Sequence, residues 1–451
     1  MRRRTFISAG FAVSASVALA ACAPGSGSSG DGGASTDPTD IVTDPAKFGD
    51  ITLVVWDQEV RGSQNDALEA LNKAFQEQYP NITIDRKSQA FDDLKKQTSL
   101  ALSGNDVPDV LQVNNARGDM GEFVAAGQLL NLSPYAKAYG WEDRYSDSVL
   151  AKVRYSPDAK TFGEGDLYGL PQTGEIVGIF FSQKKLDALG IQVPKTWDEY
   201  LAALDKAKAA GEQPLVLGNI QKWPALHVFG PLQATYVDAD TITTLGMGNA
   251  GATWVDDANK AAMTQFATWG TKGYFGSSPN GTDYEPAWAD FAKGKGVFLP
   301  AGSWLGTDLE KTMGADIRFM APPPGLDGQH ATTGGTGIPF SIPAKAKHAD
   351  AAAAYIDFIT TDDAMKTIAD NGGMPVNKTA DLAPDKGVQH DIFTEFDRIS
   401  TDGTLLPYLD YATPSFADTA GQGLQEALSG QKSPEDVLQA LENDYEKFAG
   451  E

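Results

Sequence analysis

An α/β fold is what this chain predicts, on three observations. Short runs rich in β-branched residues alternate with stretches of helical period, and the alternation restarts several times along the chain. The 451 residues suffice for two ordinary domains, each with its own core. No internal repeat breaks the pattern, so stacked layers of helix and a largely parallel sheet are expected.

The first strand is Ile51 to Trp56. A helix from Ser63 to Tyr79 follows, with Leu68, Leu71, Phe75 and Tyr79 on one face and Ser63 and Asp66 at capping-box spacing. Asn81 to Asp85 reads as a strand, Phe91 to Leu102 as a helix and Pro108 to Val113 as a strand. The pattern resumes with a strand at Glu175 to Phe181 and a helix opened by Thr196 and Glu199. Leu215 to Leu217, Gly296 to Leu299 and Ile317 to Met320 read as further strands. Ala349 to Asp370 is helical. Ser433 and Pro434 open a last helix with Val437, Leu441, Tyr445 and Phe448 on one face.

A formal charge of −24 disfavours nucleic acid and anionic membrane surfaces, which both need a basic footprint. One cysteine excludes an intramolecular disulfide. The four histidines, His227, His330, His348 and His390, are not at metal-ligand spacing, so neither a metal nor another cofactor is expected.

The N-terminus locates the protein. Met1 to Arg4 is basic and Thr5 to Ala21 is apolar and too short to span a membrane, as expected of a signal peptide over residues 1–21. Leu19-Ala20-Ala21-Cys22 resembles a bacterial lipobox, whose thiolate takes the lipid, so Cys22 is the expected lipidation site. Arg3-Arg4-Thr5-Phe6-Ile7 resembles a twin-arginine export signal, and the general secretory route stays open beside it. Residues 22–48, rich in Gly, Ser, Asp, Thr and Pro, read as a flexible tether holding a body at the outer face of the cytoplasmic membrane.

Several segments resemble the extracellular solute-binding proteins of bacterial ABC importers, in the carbohydrate-binding group that includes maltose-binding protein. They are "ITLVVWDQEV", "LEALNKAFQEQYPNITID", "LSGNDVPDVLQVN", "LYGLPQTGEIVGIFFSQKKLDALGIQVPKTWDEY", "FAKGKGVFLPAGSW" and "GIPFSIPAKAKHADAAAAYIDFITTDDAMKTIADNGGMPVNK". The resemblance implies a two-lobed, periplasmic-binding-protein-like fold that closes over a ligand, with three hinge crossings near Gly174 to Gly178, Gly334 to Pro339 and Gly372 to Val376. It implies residues 49–175 plus 335–372 for one lobe and 176–334 plus 373–451 for the other. The implied partners are a carbohydrate and the permease subunits of an importer, with the protein itself a monomer and not an enzyme.

A neutral sugar presents hydroxyls and flat C–H faces, and is recognised by amides, carboxylates and guanidinium groups in plane and by aromatic faces above and below. In open α/β sheets such groups sit on loops at the carboxyl ends of strands. Asp57 and Gln58 follow the first strand, and Asn114, Asn115 and Arg117 follow the third. By resemblance, Trp304 after Ser303 is the ligand-facing tryptophan, Trp223 an aromatic of the second lobe and Phe416 a late aromatic. Glu175 and Trp288 complete the candidate set, while Tyr408 and Tyr411 fit core packing better, and Trp56, Trp197 and Trp269 are assigned to the core. Two rivals stand: a tethered glycoside hydrolase using carboxylates such as Asp57 and Glu175, and a protein of the same fold that binds a polyamine or other non-sugar solute.

Overall fold

The computed structural model describes residues 41–450. The signal peptide, Cys22 and the tether as far as residue 40 lie outside the described residues. From residue 41 the chain is already docked: the Val42 amide donates to Asp350 at 3.1 Å, Pro45 is buried, and Ile41 and Phe48 pack on the first core. The tether expected to run to residue 48 therefore ends sooner, because these residues trade chain entropy for apolar burial.

Strand β1 (Ile51–Asp57), helix α1 (Gly62–Gln78), strand β2 (Ile82–Ser88), helix α2 (Phe91–Ser103) and strand β3 (Val110–Gln112) open the chain. Strand β4 (Gly174–Ser182), helices α3 (Trp197–Ala209) and α4 (Leu226–Gln233), and strands β5 (Phe298–Gly302), β6 (Ile317–Met320), β7 (Ala331–Thr336) and β8 (Phe340–Ser341) follow. Helices α5 (Ala349–Phe358) and α6 (Asp362–Asp370), strand β9 (Thr404–Leu406), and helices α7 (Phe416–Ser429) and α8 (Pro434–Ala449) complete the frame.

Two sheets result. The first has the order β8-β3-β1-β2, with β1 parallel to both β2 and β3 and only β8 antiparallel. Its core joins Leu53, Val55, Leu68, Leu71 and Phe75 to Tyr355 and Ile356 of α5. The second has β9-β7-β4-β5, with β6 also on β4; here β4 is antiparallel to β5, β6 and β7, and only β7 and β9 run parallel. The expectation of a largely parallel sheet thus fails in the second sheet. Residue periodicity reports that a strand exists, not the direction in which it enters its sheet. All nine residues of β4 are buried, which explains its unbroken apolar run.

Smaller departures have local causes. Arg61, not Ser63, is the N-cap of α1 and makes no side-chain cap; Ser63 is buried in the first turn. The single helix expected from Ala349 to Asp370 breaks at residues 359–361, where Thr361 caps α6 by accepting from the Ala364 amide. Leu215 to Leu217 makes one bridge to Phe298 rather than a strand. Thr196 and Ser433 do cap α3 and α8, each accepting from the backbone three residues on.

Three segments pass between the sheets side by side. Leu170 pairs with Phe340 of the first sheet, and four residues later Gly174 to Ile176 pair with Thr336 to Gly334 in the second. The third segment joins on the same stretch, with the Gly174 amide donating to the Met374 carbonyl at 3.0 Å and Val376 to Gln172 at 3.2 Å. Gly335 lies here at φ +131°, where a Cβ would fall 2.4 Å from Lys152 Cε, so both backbone and neighbour demand glycine.

Candidate functional site

Because β1 and β3 are parallel, their carboxyl ends open on the same side and the following loops rim one cavity. From these loops and α2 come Gln58, Arg61, Phe91 and Asn114. The crossings supply Glu175, Thr336 and Ile338. The second lobe supplies Trp223, Leu226, His227 and Trp304, with Tyr408, Asp410 and Tyr411 from the loop after β9. The cavity encloses about 110 Å3, room for roughly eight waters at about 10–15 Å3 each.

Hydrogen bonds fix the rim. Gln112 of β3 accepts from the Gln58 amide at 2.8 Å and donates to Glu59 Oε1 at 2.8 Å, which holds the β1–α1 loop against β3. Arg86 donates to both Asp57 oxygens, at 2.7 and 2.8 Å, and to the Glu59 carbonyl at 2.9 Å. Asn114 donates to Asp119 at 2.7 Å, and Lys95 pairs with the same oxygen.

The far wall is aromatic. Trp223 packs on Tyr284 with centroids 4.5 Å apart, and His227 meets Trp223, Trp304 and Tyr408 edge-on at 5.3 to 5.4 Å. Trp304 Nε1 donates to the Tyr284 hydroxyl at 2.7 Å. Such a wall offers flat apolar faces with polar tips.

Burial sets the charge. It pushes Glu175 up to about 8, helped by nearby Glu59, and Asp410 up to about 6 against the pull of Lys95. Glu59, behind the wall, rises to about 7, while His227 is held down to about 3. Arg61 is paired with Glu285 at 2.7 Å. At neutral pH Glu175 and His227 are therefore uncharged, Arg61 is balanced by Glu285, and Asp410, the remaining carboxyl of the wall, is ionised with Lys95 as its counter-charge.

Of the eleven residues singled out from sequence, Gln58, Asn114, Glu175, Trp223 and Trp304 line this cavity. The other six lie off it, each engaged elsewhere. Asp57 has no exposure and spends both oxygens on Arg86. Asn115 accepts from Tyr411 and donates to the Lys152 carbonyl, both at 2.7 Å, so it positions a wall residue instead of forming the wall. Arg117 donates to the Met247, Ala159 and Lys160 carbonyls and lies over Phe448. Trp288 donates to Glu285, the carboxylate that holds Arg61. Ser303 accepts from the Ile176 amide and anchors β4. Phe416 is fully buried against Trp254, a core position.

Sequence reasoning missed Arg61, Phe91, Leu226, His227, Thr336, Ile338 and Asp410, and it assigned Tyr408 and Tyr411 to packing. The run Tyr408-Leu409-Asp410-Tyr411, polar and aromatic beside a strand end, carried a readable signal. His227 carried none, being a polar residue in a mostly apolar, fully buried helix.

The profile of the bacterial extracellular solute-binding protein family matches residues 61–366, more than half of the chain. The chain belongs to that family. A multiple sugar-binding protein of Streptococcus mutans is 24% identical over 338 residues, covering 72% of this chain and 75% of the relative. Among solved structures, a chitin oligosaccharide binding protein superposes with a TM-score of 0.74 at 21% identity, over 88% of this chain and 99% of that one. RafE in complex with raffinose gives 0.69 at 21%, over 88% and 99%. The shared fold is the two-lobed periplasmic-binding-protein architecture.

Proposed function

We propose that this protein is the extracellular receptor of an ABC importer, that it takes a neutral sugar between its lobes, and that it passes the sugar to a membrane permease. The observation that carries the reading is a cavity at the lobe junction with one wall of amides and carboxyls and one of indole and phenol rings. The names of the relatives, a multiple sugar-binding protein and a raffinose complex, point the same way.

In this reading residues 49–175 with 335–372 form one lobe and 176–334 with 373–451 the other, moving about the three crossings. Cys22 anchors the body to the outer face of the cytoplasmic membrane, after export by the twin-arginine or the general secretory route. The protein acts as a monomer and binds without turning its ligand over. Hydrolysis by Asp57 with Glu175 is disfavoured because Asp57 is sealed under Arg86.

A melting-temperature screen over mono-, di- and trisaccharides tests the reading. Ligand at 100 times Kd adds about 2.7 kcal/mol to stability, and small-angle scattering should contract with the same sugar. Stabilisation by spermidine and by no saccharide would instead make the protein a polyamine receptor, and release of product from chromogenic glycosides would make it an enzyme.

A further inference from the structure

The turn that leads into Trp223 has a strained backbone. The Trp223 amide donates to the Gln221 carbonyl at 2.9 Å, closing a three-residue ring about Lys222, whose φ is +69° and ψ −46°. This is the γ-turn of positive φ, rare and costly for any residue with a side chain. Asp327 and Lys378 also have positive φ, but at ψ +23° and +27° they sit in the ordinary left-handed well. Lys222 differs in kind.

The lysine's own contacts do not account for the strain. Its ammonium lies 3.7 Å from the exposed Asp418, a pairing worth little in water. The neighbourhood nevertheless gives way to it. A Cβ at Gly421, inside α7, would fall 2.7 Å from the Lys222 Cβ, so the helix carries a poor helix former at that contact. Both flanks of the turn are clamped. Gln425 of α7 donates to the Asn219 carbonyl at 2.6 Å, and Asn219 Oδ1 accepts from the Ala225 amide at 3.0 Å. Gln221 donates to Asp283 at 2.9 Å and accepts from the Tyr284 amide at 3.1 Å. Tyr284 is also the ring on which Trp223 packs, so the segment that fixes the turn is the one that receives the indole. Strain of this kind persists only where its surroundings over-determine it, and it clusters at functional sites.

We propose that Lys222 is a positioning residue for Trp223: its strained turn, held by α7 and by Asp283 and Tyr284, fixes the indole at the cavity before a ligand arrives. Lys222 does not line the cavity and acts through its neighbour. A ring ordered in advance spares binding the entropy of ordering it. The inference rests on the reading of this cavity as the sugar site.

The test compares Lys222→Gly, which takes positive φ freely, with Lys222→Ala, which keeps the Cβ and the strain and loses only the long charged chain. Wild type and both variants are melted without ligand and titrated calorimetrically with D-glucose, D-galactose, N-acetyl-D-glucosamine and their common di- and trisaccharides. All three are also labelled with fluorotryptophan, and the Trp223 fluorine resonance is assigned by its loss in Trp223→Phe. Lys222→Gly should melt about 2 °C or more above Lys222→Ala, bind a saccharide about threefold to tenfold more weakly, and broaden or split the Trp223 line. Lys222→Ala should keep the wild-type affinity and line. A gain in stability with a loss of affinity marks positioning, because a merely structural residue would lower both. Affinities of the two variants equal within about twofold, a Trp223 line in Lys222→Gly as narrow as in wild type, or a Lys222→Gly protein no more stable than Lys222→Ala would each overturn the inference and leave the sugar reading standing. If wild type ignores every saccharide, the sugar reading falls, and the ligand-free measurements still decide. A broadened line with a raised melting temperature upholds the positioning of Trp223 for another guest, and any other pair of results overturns it.

Discussion

Trp304 Nε1 donates to the Tyr284 hydroxyl at 2.7 Å, and the indole lies so close over Gly302 that a Cβ there would fall 2.0 Å from the ring. One hydrogen bond and one missing side chain therefore set the angle at which the indole faces the cavity. Trp304→Ala should abolish most of the ligand-induced melting shift while lowering the ligand-free melting temperature only slightly, since the ring is part-exposed at the cavity. Gly302→Ala should weaken ligand binding with Trp304 still present. A Trp304→Ala protein that melts far below wild type without ligand would make the residue a core tryptophan.

The Arg117 guanidinium donates to the Met247 carbonyl at 3.0 and 2.9 Å and so ties the loop after β3 to a turn 130 residues further along the chain. Arg117→Ala should shift the ligand-free protein toward an open shape, read as a larger radius of gyration by scattering. Affinity should weaken by about tenfold to a hundredfold, as expected if closure loses one charged hydrogen-bond pair of about 1.5–3 kcal/mol. Unchanged scattering and affinity would show that this tie does not hold the closed state.

Asp57 and Gln58 are neighbours with opposite expected phenotypes. Asp57→Asn leaves Arg86 largely buried with half its partner gone, and removing one side of such a pair costs about 3–5 kcal/mol; the expected outcome is a large fall in melting temperature. Gln58→Ala should keep the fold and weaken the ligand. Reversed phenotypes in a paired melting and titration experiment would put Asp57 at the ligand.

Glu175 gives stability a pH dependence. Its carboxyl is pushed up to about 8 by burial, whereas the unfolded chain titrates near about 4.3. Between these values the folded state holds a proton that the unfolded state has lost, so stability falls as pH rises, by up to roughly 1.4 kcal/mol per pH unit. His227, held down to about 3, acts oppositely and lowers stability as pH drops below about 6.5. Comparing Glu175→Gln with wild type cancels the histidine: the variant should gain on wild type steadily from pH 5 to pH 8. A constant difference between the two melting curves would show that Glu175 titrates as an ordinary carboxyl.

Phe416 packs on Trp254 with centroids 5.3 Å apart and no exposure. Phe416→Ala should cost about 3–5 kcal/mol through the cavity it leaves, seen in denaturant unfolding, and should leave ligand preference unchanged. A changed preference with full stability would return Phe416 to the site.

The early strands and helices were legible because their periodicity is strong. Leu68, Leu71 and Phe75 repeat on one face of α1, and all three are buried. Caps at Thr196 and Ser433 were legible for the same reason, since a cap is a contact between residues three apart. Gln58 and Asn114 could be found because a polar cluster after a strand is a local feature. Asp57, Asn115 and Arg117 show the same local signal, and nothing in their neighbourhood reveals that Arg86, Tyr411 and Met247 claim them.

By itself the sequence determined what depends on neighbours along the chain: strand or helix, the caps at Thr196 and Ser433, and the family whose segments recur in order. Only the tertiary structure decided which polar side chains are already spent and which face an empty volume. A side chain's hydrogen-bond partners are 29 residues away for Asp57 with Arg86 and 296 for Asn115 with Tyr411. Pairings at that separation form when the lobes and crossings assemble, and no short window of residues contains them.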